Sequence, residues 1–165
     1  MSTTINLQIT FESLTEAIKS LDLTQKQQLL EILEQQIFQA EETSYQDDEE
    51  TLAELQQVRD EYQSGDYVTL EQYLSKDYIT MDYSIKISKS VQKQIDNLPN
   101  PIKSRILEKI KDLSVEPRPP GVVKLKNSDY EYRLRVGDYR VRYEIDDPKQ
   151  VILILQCKHR RDVYR

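Results

Sequence analysis

The 165 residues are 38% hydrophobic and 32% charged, an ordinary composition for one medium or two small folded domains. The net charge of −6 conceals two halves of opposite sign: residues 1–80 hold 17 acidic against 4 basic side chains, −13, and residues 81–165 hold 12 acidic against 19 basic, +7. The longest aliphatic run, VILIL at 151–155, is too short for a membrane helix, no signal segment opens the chain, and one cysteine with one histidine makes neither a disulfide nor a metal cluster, so a cytoplasmic protein with no membrane partner, metal or cofactor is expected.

In chain order, INLQITF at 5–11 alternates apolar and polar residues with the period of a half-buried strand. Ser13 and Glu16 read as a capping box opening a short helix to about Leu21. Asp22 or Thr24 caps a longer helix whose Leu29, Leu30, Ile32, Leu33, Ile37 and Phe38 form one broad apolar stripe. So small a unit buries little surface alone, and residues 1–40 are expected to be a dimerising head. Residues 41–50, EETSYQDDEE, lack apolar periodicity and read as a solvated acidic linker. A third helix follows at 49–63, with Leu52, Leu55, Val58 and Tyr62 on one side and Gly65 as its stop. The stretch GDYVTLEQYLSKDYIT after it is apolar, aromatic and acidic together and has no room for its own core, so it is expected to order on a partner surface.

At Met81 the character changes. A strand with Tyr83, Ile85 and Ile87 leads into a helix from Ser88 or Ser90 to about Leu98; Pro99-Asn100-Pro101 breaks it, and a second helix carries Ile102, Ile106, Leu107, Ile110 and Leu113. After the loop EPRPPG come VVKLK at 122–126, a hairpin at 130–145, and VILILQC at 151–157, whose lack of alternation marks a central strand covered on both faces. Cys157 ends that strand and reads as a buried structural thiol. The expected fold of 81–165 is α+β, in the order β-α-α-β-β-β, with the helices on one face of an antiparallel sheet and a mostly helical segment before it.

The hairpin YEYRLRVGDYRVRYEI carries the chemistry. Gly137-Asp138 is a two-residue turn signal, which sets Arg135 opposite Arg140 and Arg133 opposite Arg142. Four arginines then share one face, although like charges opposite one another destabilise a sheet. Guanidinium suits forked contact with phosphate or carboxylate, so an anion site is favoured over a merely solubilising surface. KHRRDVYR at 158–165 adds His159, Arg160, Arg161 and Tyr164 at the exit of the last strand. Rings interleaved with cations are the usual arrangement for single-stranded RNA. With no Gly-rich phosphate loop and no serine–histidine signature, metal-free phosphodiester chemistry remains.

From its opening strand and LPNP-broken helical pair to the YRLRVGDYRVRYEI hairpin and terminal HRRDVYR, residues 81–165 resemble a RelE/ParE-superfamily toxin from end to end. Residues 41–80 are similar in arrangement to the toxin-wrapping part of a RelB-like antitoxin. The resemblance implies a metal-independent endoribonuclease that cuts messenger RNA on the ribosome through attack of a ribose 2′-OH. By motif, Arg133, Arg135, Arg140, Arg160 and Tyr164 would be catalytic, and Arg142, His159 and Arg161 would hold RNA. His159 is the one side chain among them whose ordinary pKa suits proton transfer. Leu52, Leu55, Tyr62, Asp66, Tyr67, Glu71 and Tyr73 are the expected antitoxin contacts, with Asp66, Glu71 and Tyr73 near the basic cleft. Met81 stands where a free toxin would start, so a fusion of adjacent partners is expected. Neutralisation would occur in cis or upon a second copy. ParE-like action on gyrase stays open, as does a DNA-binding autoregulator; Lys19 and Lys26 against five carboxylates make residues 1–40 a poor footprint for operator DNA.

Overall fold

The computed structural model describes residues 8–74, 82–126 and 128–163. The chain divides into two compact units, Met1–Phe38 and Gln39–Arg165.

In the first unit, helix α1 spans Phe11–Ser20. Thr10 caps it, its hydroxyl accepting from the Ser13 amide at 3.2 Å, so the helix begins three residues before the expected box. Residues 5–7 of the expected opening strand lie outside the described residues, 8–10 have no regular structure, and Phe11 is helical because the cap precedes it. Helix α2 spans Leu23–Ser44, its residues from Gln39 onward belonging to the second unit. Asp22 accepts from the Gln25 amide while Gln25 accepts from the Asp22 amide, a reciprocal cap. The apolar side chains of Phe11, Leu30, Ile32, Leu33 and Ile37 are exposed.

In the second unit, α3 spans Glu49–Ser64, opened by Asp48 and ended by Gly65 at φ +86°, where the left-handed backbone favours glycine. A three-residue strand β1, Tyr67–Thr69, and a single turn α4, Leu70–Leu74, follow. Strand β2 covers Ser84–Ser88 and helix α5 Lys89–Asp96, capped by Ser88. Helix α6 covers Asn100–Asp112 with proline in its first turn, where no amide donor is missed. Strands β3 (Val123–Lys124), β4 (Glu131–Val136), β5 (Tyr139–Asp146) and β6 (Val151–His159) complete the sheet, and α7 is the turn Arg160–Val163. The expected VVKLK strand shrinks to its second and third residues.

The sheet order is β1-β2-β6-β5-β4-β3. Every neighbouring pair is antiparallel except β2 with β6, which is parallel because the two-helix crossover and the later meander return β6 alongside the opening strand. The hairpin register is the one its alternation predicts: Val136 faces Tyr139, Leu134 faces Val141, and the arginines pair as Arg135–Arg140 and Arg133–Arg142. Gly137, at φ +59°, takes the first turn position while Asp138 keeps a negative φ, the arrangement of a type II′ hairpin turn.

Strand β6 is buried almost throughout. Helix α5 packs on β6 and β2, and α6 on β4, whereas α3 lies against β2, β6 and α5. Leu55, Val58 and Leu70 belong to the same core as Ile85, Ile87, Ile95, Ile110, Val141, Tyr143 and Ile154. The acidic half therefore supplies part of the hydrophobic core, and each such aliphatic side chain contributes roughly 1.5 to 3 kcal/mol through burial.

Candidate functional site

Residues directly opposite on paired strands project to the same side of the sheet, so the register gathers one cationic face. Arg133 and Arg135 from β4 meet Arg142 and Arg140 from β5, which in turn meet Gln156 and Lys158 from β6. Isolated, such a face would repel itself. Among the described residues it is instead threaded with carboxylates, most of them from the acidic half.

The end of α2 and the turn after it supply the first set. Glu42 receives both hydrogen bonds from Arg133 Nη1, each 2.7 Å, and the side chains of this pair are 3% and 1% exposed. The ring of Tyr45 lies under the same guanidinium, 4.7 Å from its carbon to the ring centre, a cation–π contact. Arg140 donates to Glu41 at 3.2 Å and to the carbonyls of Gly137 and Tyr139. Arg142 forks onto Asp47 with bonds of 2.6 and 2.8 Å, and its Nε donates to Glu131 at 2.5 Å. Burial alone would weaken Arg142's hold on its proton, but the Asp47 hydrogen bonds and the charge of Glu131 outweigh it and push its pKa up. Arg135 is half-buried on the same face.

Helix α3 supplies the second set. Glu54 receives Lys158 Nζ at 2.6 and 2.7 Å and the Gln156 amide at 2.9 Å. Arg59 donates to Glu131 at 2.6 Å and to Glu144 at 3.3 Å, so Glu131 joins Arg59 of the acidic half to Arg142 of the basic half. Glu61 accepts from both the amide and the hydroxyl of Ser90, at 2.9 and 2.8 Å, over the first turn of α5. Burial raises the Glu61 pKa, but the Ser90 bonds overcome that and hold it below the usual carboxylate range.

Several expectations are corrected. Residues 41–47 are no solvated linker, because their carboxylates find arginines, and Glu42 is buried. Asp66, Tyr67, Glu71 and Tyr73 lie at the opposite end of the sheet from the arginine hairpin. Tyr67 to Thr69 add a strand to the free edge of β2, and the Asp66 carbonyl accepts from the Lys89 amide. The Tyr73 hydroxyl donates to Asp96 at 2.6 Å, and Lys86 sits 5.2 Å over the Tyr67 ring. Glu71 stands in the first turn of α4. An edge strand needs backbone pairing more than charge, and alternating Tyr-Val-Thr meets that need. Leu55 is buried and Tyr62 packs against the core, with its ring 5.1 Å from that of Tyr67, but Leu52 is 53% exposed because it turns away from the sheet.

His159 pairs with Tyr139, not with an arginine, and so falls on the other side of the sheet. It meets the Tyr139 ring edge-on at 5.2 Å, and its Nδ1 accepts from the Arg161 amide. Strand alternation gives the arginine face Lys158 instead, which no motif in the sequence marks beside the conspicuous histidine. Arg160 reaches the hairpin turn, its amide donating to the Asp138 carbonyl at 2.7 Å and its Nε lying 3.3 Å from the Asp138 carboxylate; this brings it near Arg140, which bonds the Gly137 carbonyl. Arg161 is exposed, and Tyr164 and Met81 lie outside the described residues. Cys157 is buried among apolar neighbours, which pushes its thiol up to about 12. Among the described residues no group of three or more His, Cys, Asp or Glu side chains is placed to hold a metal ion, and no helix is long and apolar enough to cross a membrane.

Sheet, helical pair and arginine face together define a small α+β domain with a cationic sheet face, paired here with carboxylates of its own chain. Residues 85–164 match the family described as the ParE toxin of type II toxin-antitoxin systems. The chain is 31% identical over 86 residues to the toxin RelG of Mycobacterium tuberculosis, an alignment covering 52% of this chain and 99% of that toxin. The chain belongs to the RelE/ParE toxin superfamily. Among solved structures, an archaeal RelE–RelB complex from Pyrococcus horikoshii is similar at 40% identity and a TM-score of 0.45, over 48% of this chain and 97% of that one. The toxin-antitoxin complex RelBE2 of M. tuberculosis is similar at 27% identity and a TM-score of 0.40, over 47% of this chain and 96% of that one.

Proposed function

We propose that the chain is a self-neutralised toxin-antitoxin fusion: residues 81–165 are a RelE-type, metal-independent endoribonuclease that cuts messenger RNA on the ribosome, and residues 41–80 hold it inactive. The observation that carries this reading is the pairing of Glu41, Glu42 and Asp47 with Arg140, Arg133 and Arg142. Those guanidiniums are suited to the non-bridging oxygens of a scissile phosphate, and cations aimed at charge that grows in the transition state are commonly the largest catalytic contribution. Arg135, Lys158 and Arg160 complete the cationic rim, while Arg161 and Tyr164 belong to the same closing segment. Residues 1–40 serve as a dimerising head, whose exposed Phe11, Leu30, Leu33 and Ile37 a second copy would cover.

The test is to express residues 81–165 under tight control, with and without residues 1–80 from a second promoter, and to follow ribosome-dependent message cleavage. The M. tuberculosis relative is matched over 99% of its length by about this segment, which supports its standing alone. Cleavage by the fragment, loss of cleavage in Arg140→Ala by on the order of 10² to 10³ in rate, and silencing by residues 1–80 are the expected results. A folded fragment that leaves messages intact would refute the nuclease reading. Because the matching family is described by its ParE toxin, a gyrase-directed activity is the second reading. Altered plasmid supercoiling without message cleavage would establish it.

A further inference from the structure

The neutralising segment is built in two physically different parts. Residues 51–74 are an anchor: Leu55, Val58 and Leu70 are buried in the sheet's own core, and Tyr67–Thr69 pair with β2 by backbone hydrogen bonds. None of the described side chains of 41–47 belongs to that core, and these residues meet the arginine face through Glu41, Glu42, Asp47 and the Tyr45 ring. Apolar burial and strand pairing are insensitive to added polyanion; ion pairs are exchangeable for any anion that presents the same charges.

The composition of the second part is that of a nucleotide strand. Carboxylates take the forked and paired positions a phosphate would take, and the Tyr45 ring lies over the Arg133 guanidinium, 4.7 Å from its carbon to the ring centre, where a base could take its place. Arg140 and Arg142 are two residues apart on one strand, about 6.8 Å along it, a separation that suits neighbouring phosphates of an extended strand.

We infer that residues 41–47 are a pseudo-substrate latch, which single-stranded RNA displaces from the arginine face while the anchor 51–74 stays docked, and that the surface of Arg133 under Tyr45 is a base-stacking subsite. The inference rests on the reading of the arginine face as an RNA site, and it adds how that site is opened and where one base sits. Opening by exchange requires no dissociation of the two halves. Occupation of the face by the latch lowers the apparent affinity for RNA by the fraction of time the face is covered.

Hydrogen exchange on the full chain tests it, with an oligoadenylate hexamer as the probe and inorganic polyphosphate of matched charge as the comparison. Saturating hexamer is expected to speed exchange of the helical amides at 39–44 about tenfold or more and to leave those of 51–64 unchanged. Base stacking makes the hexamer about tenfold more potent than polyphosphate. Tyr45→Ala opens the latch at lower hexamer concentration, while Tyr45→Phe behaves as the parent chain. Simultaneous loss of protection at 39–44 and 51–64, or binding of hexamer with 39–44 still protected, would overturn the latch. Equal potency of polyphosphate would overturn the base-stacking subsite. Exchange reads occupancy without cleavage: a chain that trades its latch but cuts no message fails only as a nuclease, and a cutting toxin half whose latch never yields fails only here.

Discussion

Arg142 illustrates how single side chains set the electrostatics. It is 5% exposed at the side chain, and its fork and its Nε are both engaged, by Asp47 and Glu131. Removing Asp47 would leave the buried fork of Arg142 unpaired while its Nε keeps Glu131, which is why the acidic and basic halves depend on one another there. Glu61 plays a different part, joining α3 to the first turn of α5 through Ser90. Its folded pKa is depressed, so its contribution is fully present above the unfolded value near 4.3 and is lost as pH falls through the lower folded value. Glu61→Gln is expected to lower stability by about 1 to 2 kcal/mol at pH 7, and urea titrations of the two chains should converge as pH is taken from 5 to 3. A gap that persists at pH 3 would mean that ionised Glu61 is not the source.

At the scale of elements, the hairpin was legible because two independent signals agree: strict alternation on both strands and Gly137-Asp138 at the only place that aligns them. The helical pair was legible through its cap and its proline break. Strand β1 was not, because three residues carry no periodicity and become a strand only when the edge of β2 is available. The ends of α1 and α2 followed local caps that compete closely within a few residues. Helix α3 could be read as amphipathic, but its destination is a tertiary fact. Leu55→Ala, at a position 1% exposed in the shared core, is expected to cost about 2 to 5 kcal/mol in chemical denaturation of the full chain. A loss under 1 kcal/mol would show that α3 is not integral to the fold of the second unit.

Across the whole molecule, the opposite charges of the two halves resolve into a cationic sheet face and the carboxylates that cover it. The sign of that pairing was legible from composition alone. Its address was not, since an acidic run such as EETSYQDDEE looks like solvated linker until the arginines opposite it are in place, while the aromatic GDYVTLEQYL drew attention to the wrong edge. Lys158 was hidden for a related reason: the side of β6 it occupies is fixed by register with Arg140. The measurement that most directly tests this account is binding of a short single-stranded RNA to the full chain and to a Glu41→Gln, Glu42→Gln, Asp47→Asn chain of equal helix content. The account predicts that the neutralised chain binds about tenfold more tightly or better and that added salt weakens its binding steeply. Equal affinity of the two chains would contradict it.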